Sequence, residues 1–295
     1  MLPATDLVSL SYRHTIPMDN IRPKDLSDRG VANSERKKSM NFLNSIGVFL
    51  FTASVSAAAH VCQWPADPVV VTNTATQQKK VWTIANSPVL FSKVTSTHPA
   101  FLSYQNWVKA NTTTDPIELL KRQRKFFSSN DMTESVDTRK MDLVMAGQIG
   151  EIHPITCLES LLLVEHTAKF PLEKTPNEFV AAILQKGSLL KIYFLSDKIE
   201  EGSAPKAEVT NQEIQKDLKL GYTYLINLHN HPFMLSNPTG DIGGTTLPSG
   251  DSDYGDVYVF NNLVVAFQLK NAWITNGFNS VRLNQKDIDS LNQLK

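Results

Sequence analysis

The run YTYLINLHNHPF, which spans Tyr222–Phe233, constrains the fold more than any other stretch of the chain. Its apolar and aromatic first half predicts a β-strand. Side chains at positions i and i+2 of a strand point to the same side, so His229 and His231 would face one way. Pro232 lacks a backbone donor and favours a turn. The strand is therefore expected to stop where it presents two imidazoles to a single ion.

A loop rich in Gly, Thr, Asn and Pro follows this strand and leads into a group of acidic residues. It delivers Ser249 and then Asp251, Asp253 and Asp256. One carboxylate from this group would complete a site with three protein ligands and one open position, which is the arrangement of catalytic zinc sites.

These residues resemble the motif of the JAMM (MPN-domain) metalloproteases, in which a glutamate precedes His-x-His-Pro and a later Ser-x-x-Asp. The run at 229–232 matches the first half, and Ser249 matches the start of the second half. The resemblance covers roughly residues 153–283, and the loop between the two halves is longer than is usual in the family.

The third ligand departs from the family pattern. Family spacing from Ser249 would place the aspartate at position 252, which is Ser252 here. We favour Asp253, with one inserted residue, because a helix is expected to begin there. Asp256 is the alternative, since a helix can also begin there, and Asp251 is the other nearby carboxylate.

The family's glutamate lies at the start of a strand that follows the first helix. Glu178 opens such a segment, EFVAAILQKG, and comes after a predicted helix that ends near Phe170. Glu159 and Glu165 lie within that helix and are weaker candidates.

The resemblance implies a mechanism with a role for each residue. Zn²⁺ held by His229, His231 and Asp253 would lower the pKa of a bound water towards neutrality. Glu178 would act as the general base and acid. Ser249 would stabilise the oxyanion of the tetrahedral intermediate. The expected reaction is hydrolysis of a peptide or isopeptide bond in a peptide or protein substrate of unknown identity.

Two other functions remain open from the residues alone. The first is a catalytically inactive MPN-like module that binds a partner, which the unusual spacing between serine and aspartate allows. The second is a zinc hydrolase of small amides.

The patterning predicts an α+β fold. After Gly150 the elements read α-β-β-α-β-loop-α-β, which indicates a mixed sheet flanked by helices, as in MPN domains, over residues 151–295. Residues 60–150 are expected to form a small, mainly helical region, with its helices between Ala100 and Gly150.

Composition excludes some partners. The chain has 29 basic and 29 acidic residues, so there is no global field to attract nucleic acid. With only two cysteines, Cys62 and Cys157, a metal would have to be held by histidine and carboxylate, and at most one disulfide can form.

Residues 1–59 are expected to consist of an N-terminal extension followed by a secretory signal peptide. Basic residues at 36–38 precede an apolar run from Ile46 to Val55 and the small residues 56–59. We expect a signal peptide at about 40–59, cleaved after Ala59, with an uncleaved anchor as the alternative and Met40 as a possible translation start. The mature protein would then be periplasmic or secreted, without a membrane span.

Overall fold

The computed structural model describes residues 61–129, 136–198, 205, 208–235, 243–249 and 255–294. The predicted extension and signal peptide at 1–59 lie outside the described residues. The described residues belong to one compact unit.

An eight-stranded mixed sheet organises the described part of the chain. Its order is β1-β2-β5-β4-β6-β7-β8-β3, and every neighbouring pair is antiparallel except β6 and β7. The strands are β1 (Val69–Asn73), β2 (Gln77–Ala85), β3 (Glu151–Pro154), β4 (Phe179–Lys186), β5 (Leu189–Asp197), β6 (Thr223–Asn230), β7 (Asn271–Thr275) and β8 (Asn279–Asn284).

The described residues contain seven α-helices and one short 3-10 turn, Pro88–Phe91. The helices are α1 (Pro99–Asn111), α2 (Pro116–Ser129), α3 (Val136–Met145), α4 (Cys157–Thr167), α5 (Glu208–Lys219), α6 (Asp256–Phe267) and α7 (Gln285–Asn292). Among the described residues, no helix is long and apolar enough to cross a bilayer.

The sheet has an apolar cluster on each face because successive strand side chains alternate. Along β4, Ala181 and Ile183 join the cluster that contains residues of α1 and α4. Ala182 and Leu184 join the other cluster, which contains Phe260 of α6 and residues of α3, α5 and α7. The mixed α+β class expected from the sequence is thereby confirmed.

The N-terminal region differs from a small helical unit. Helices α1 to α3 lie where helices were expected between residues 100 and 150, but residues 69–85 form two strands. Strand β2 pairs with β5 along its whole length, from Gln77 opposite Asp197 to Ala85 opposite Leu189. This region therefore contributes two strands to the same sheet as the segments after Gly150.

A disulfide joins Cys62 to Cys157, with the two Cα atoms 5.4 Å apart. It ties the segment before β1 to the first residue of α4 across 95 positions of sequence.

Candidate metal centre

The two histidines lie at the end of β6, between β4 and β7. His229 pairs with Val180 on one side and with Ile274 on the other. The His231 backbone N–H donates to the Thr275 carbonyl at 2.8 Å. Both rings face the α6 side of the sheet, where the His229 ring packs against Phe260 with centroids 5.6 Å apart. Their Nε2 atoms come within 3.1 Å of each other.

A backbone carbonyl fixes the tautomer of His231. Its Nδ1 lies 2.9 Å from the Thr245 carbonyl oxygen. Because a carbonyl only accepts, Nδ1 carries a proton. Burial lowers the pKa of the His231 ring, but the Asp256 carboxylate outweighs it and raises that pKa to about 9, so Nε2 offers its lone pair to a metal only after it releases its own proton. Segment 243–249 folds back over the strand end, since the Gly244 N–H donates to the Pro232 carbonyl at 3.0 Å.

Asp256 closes the site from the first turn of α6. Its Oδ1 lies 3.3 Å from His229 Nε2, and its Oδ2 lies 3.2 Å from His231 Nε2. The Ser249 backbone N–H donates to Oδ2 at 2.7 Å and orients the carboxylate. Burial alone would raise the pKa of Asp256, but the two imidazoles outweigh it and hold that pKa well below its usual range.

Glu178 lies just before β4, on the same face as the two rings. One of its carboxylate oxygens and the ring nitrogens of His229 and His231 all lie within 4.8 Å of one another, so the three side chains can hold a metal ion. Burial raises the pKa of Glu178 to about 7, against the opposing effect of the two imidazoles. A carboxyl group with such a pKa can both take up and release a proton near neutrality.

The distances fit a shared ion. With bonds of about 2.0–2.1 Å, the ligand atoms at the corners of a tetrahedral zinc site lie about 3.3–3.4 Å apart. The imidazole nitrogens are 3.1 Å apart, and the Asp256 oxygens lie 3.2 and 3.3 Å from them. Two imidazoles and a carboxylate form a donor set that zinc accepts well. The structure itself supports a metal site without fixing the metal.

The predicted residues are largely brought together. Glu178, His229 and His231 converge as expected, and the second carboxylate beside the two imidazoles is Asp256, the alternative in the sequence interpretation. The favoured Asp253, like Asp251, lies outside the described residues.

Ser249 contacts Asp256 by two hydrogen bonds. Besides the N–H to carboxylate bond, the Ser249 Oγ accepts the Asp256 backbone N–H at 3.3 Å. The Ser249 side chain is exposed.

The two weaker glutamates have structural roles. Glu159 forms a capping box with Thr156 at the start of α4. Glu165 accepts from the Trp64 Nε1 and pairs with Lys80. Thr245 is a site residue that the sequence did not reveal, because it acts through its backbone carbonyl and no side-chain pattern marks it.

No family model, curated protein or solved structure matches this chain. The resemblance to JAMM metalloproteases therefore depends on the sequence motif alone.

Proposed function

We propose that this protein is a zinc-dependent hydrolase of peptide or isopeptide bonds with a JAMM-like site. The observation that carries the proposal is the convergence of two imidazole nitrogens, 3.1 Å apart, on one carboxylate, with a second carboxylate close by.

His229, His231 and Asp256 would hold the ion. Each imidazole would bind through Nε2, and the Thr245 carbonyl keeps the His231 ring in the required tautomer. A zinc ion in this position would supply Lewis acidity that makes a water molecule nucleophilic near neutral pH.

Glu178 would move the protons of the reaction. Its raised pKa, about 7, makes it a competent base for the attacking water at neutral pH. The same carboxyl group would then deliver the proton to the leaving amine. Its burial keeps bulk water from competing for that proton.

Ser249 would donate a hydrogen bond to the oxyanion of the tetrahedral intermediate. Its Oγ accepts the Asp256 N–H, and accepting this bond does not use the hydroxyl proton. Donors of this kind contribute about 3–4 kcal/mol to transition-state stabilisation.

We also propose that the protein works outside the reducing cytoplasm. The Cys62–Cys157 disulfide supports this, because structural disulfides persist in oxidising compartments. The leader pattern of residues 40–59 points the same way. A peptide or protein substrate would be met in the periplasm or outside the cell.

The test combines a metal assay with a peptide-library assay. We expect zinc in the purified protein and chelator-sensitive cleavage that Glu178→Gln abolishes. Glu213→Gln, which changes a carboxylate on α5 paired with Lys79, is the control and should cleave normally.

Three outcomes would contradict the proposal. Absence of bound zinc rules out both zinc-dependent hydrolase functions. Bound zinc without Glu178-dependent cleavage indicates a binding module. Cleavage of small amides, but of no peptide, indicates a small-amide hydrolase.

A further inference from the structure

Asn230 separates the two histidines and faces the opposite side of the sheet. It is fully buried, with 0% of its surface exposed. Its neighbour two positions back, Leu228, belongs to the apolar cluster on the α4 side, whereas the His229 ring packs on α6. The Asn230 side chain therefore points away from the metal site, although Asn230 is the sequence neighbour of both His229 and His231.

The amide of Asn230 binds the backbone on both sides of Glu178. Its Oδ1 accepts the Phe179 N–H at 2.7 Å. Its Nδ2 donates to the Asn177 carbonyl at 3.3 Å. One side chain thus holds the residue before the glutamate and the residue after it.

These bonds replace backbone pairing at a point where it stops. The register of β4 and β6 runs up to Val180 opposite His229 and goes no further in the pairing of these two strands. Glu178 lies beyond that pair, just before β4 begins. Asn230 therefore adds two bonds between the backbone that carries Glu178 and the strand that carries the histidines, beyond their last backbone pair.

Helix α4 provides a second attachment to the same carbonyl. His166 Nε2 lies 3.1 Å from the Asn177 carbonyl oxygen, and its Nδ1 lies 2.7 Å from Ser196 Oγ. Since the carbonyl only accepts, Nε2 carries the proton and Nδ1 accepts from the serine. The Asn177 carbonyl therefore receives two donors, one from the strand of the histidines and one from α4.

We propose that Asn230 is a positioning residue that sets the distance between the Glu178 carboxylate and the metal held by His229 and His231. This inference rests on the proposed function, because it assigns Glu178 the role of proton carrier. An amide suits the position because it can accept from the Phe179 N–H and donate to the Asn177 carbonyl at the same time. Neither an ionised aspartate nor an apolar side chain can serve both.

The test uses three variants of the full chain loaded with Zn²⁺. Asn230→Leu removes both bonds at similar volume, and Asn230→Asp keeps the acceptor but loses the donor. Asn271→Leu is the matched control, because the Asn271 amide also binds a neighbouring strand, through the Leu225 carbonyl, but on β7. Three quantities are measured: zinc per chain, hydrogen exchange of the Phe179 amide, and library cleavage per bound zinc.

We expect Asn230→Leu to retain zinc, to exchange the Phe179 amide faster and to cleave at least about tenfold more slowly, since small misplacements of a catalytic group have effects of this size. Asn230→Asp should fall between it and the wild type. The Asn271→Leu control should match the wild type in all three quantities.

Loss of zinc in proportion to the loss of rate would overturn the proposal, because Asn230 would then act on the ligands. An unchanged Phe179 exchange rate would overturn it too, as would an equal effect of Asn271→Leu. If Asn230→Leu fails to fold, Asn230→Asp is compared with the wild type in its place.

If the wild type cleaves nothing, the proposed function fails. A crystal structure of zinc-loaded Asn230→Leu then tests the positioning role: a displaced Glu178 supports it, and an unmoved Glu178 contradicts it.

Discussion

Ser249 and Asp256 bind each other through two reciprocal hydrogen bonds. The Ser249 N–H donates to Asp256 Oδ2 at 2.7 Å, and the Asp256 N–H donates to Ser249 Oγ at 3.3 Å. Gly255, the residue before α6, makes no side-chain cap of its own. The serine therefore caps α6 from the preceding loop and orients the carboxylate that faces the histidines.

Ser249→Ala separates capping from catalysis. Loss of the Oγ bond should cost about 1 kcal/mol in the free energy of unfolding, as for other helix caps. Zinc binding should persist, because the backbone N–H that orients Asp256 remains. Cleavage should fall by about 10²–10³-fold if Ser249 serves the oxyanion.

Urea unfolding, zinc content and library cleavage check these expectations. Ser188→Ala, at an exposed serine in the β4–β5 turn, is the control and should change none of them. A zinc-loaded Ser249→Ala that cleaves at the wild-type rate would remove the serine from the mechanism.

Gly244→Ala should loosen the metal site. Gly244 has a φ of +75°, and an added Cβ would lie 2.4 Å from the Phe233 ring. The ring or the loop must move, and the neighbouring Thr245 carbonyl that orients His231 moves with the loop. We expect zinc affinity to fall about 10–100-fold, as when other groups that orient metal-ligating histidines are disturbed.

Gly147→Ala is the matched control for Gly244→Ala. Its φ is +65°, but among the described residues no atom lies within 4 Å of the added Cβ. Gly147→Ala should lower the free energy of unfolding by about 1–2 kcal/mol, because of backbone strain alone, and leave zinc affinity unchanged. Competition with a chromophoric chelator measures both affinities, and equal losses in the two variants would refute the steric argument.

Buried His166 should make stability depend on acid pH. Burial lowers its pKa from 6.5 to about 4. Between these values the unfolded chain binds a proton that the folded protein does not, so stability falls as the pH drops from 6.5 to 4 and then levels off. Each pKa unit corresponds to about 1.4 kcal/mol, so the free energy of unfolding should fall by about 3 kcal/mol over this pH range.

His166→Gln should flatten this part of the profile relative to the wild type. Both are compared by urea unfolding after EDTA treatment, so that loss of metal in acid does not contribute. His153→Gln, at a partly exposed histidine on β3, should keep the wild-type slope. A His166→Gln variant with an unchanged slope would contradict the assignment.

Reduction of the Cys62–Cys157 disulfide should destabilise the protein. It closes a loop of 95 positions, for which the chain-entropy model gives about 4–5 kcal/mol. Urea unfolding with and without reductant measures this loss in the free energy of unfolding. Reductant should not change the stability of the double variant Cys62→Ala with Cys157→Ala. Equal stability of oxidised and reduced protein would contradict the prediction.

Local patterns were sufficient to predict several elements. Leu158, Leu161 and Leu162 lie at helical spacing, which predicts a helix over this segment, and all three are buried in α4. Two apolar runs split by Lys186 and Gly187 predict a pair of strands, and β4 and β5 lie there as an antiparallel pair. In these cases the apolar pattern and the breaking residues agree with the tertiary fold.

Strand β2 shows where local patterns fail. It contains buried Gln78 and Lys79, which break an apolar alternation. Gln78 donates to the Glu165 carbonyl, and Lys79 pairs with Glu213 on α5. These partners lie 87 and 134 positions away, so no window of sequence around β2 reveals that its polar residues can be buried.

The residues of the metal site could likewise be predicted only in part. The spacing of His229 and His231 follows from strand geometry, and Glu178 follows from its place before a strand. The choice of aspartate depends on the path of a loop, which brings Ser249 to Asp256, and no periodicity encodes that path. The expected start of a helix favoured Asp253, whereas the described structure begins α6 at Asp256 and brings that residue to the imidazoles.

The most direct test is the zinc content of the purified chain after incubation with Zn²⁺ and removal of free metal. The account predicts about one ion per chain in the wild type and in Asp253→Asn, and almost none in Asp256→Asn or in the double variant His229→Ala with His231→Ala. A wild-type chain without zinc, or a double variant that retains it, would contradict the central claim.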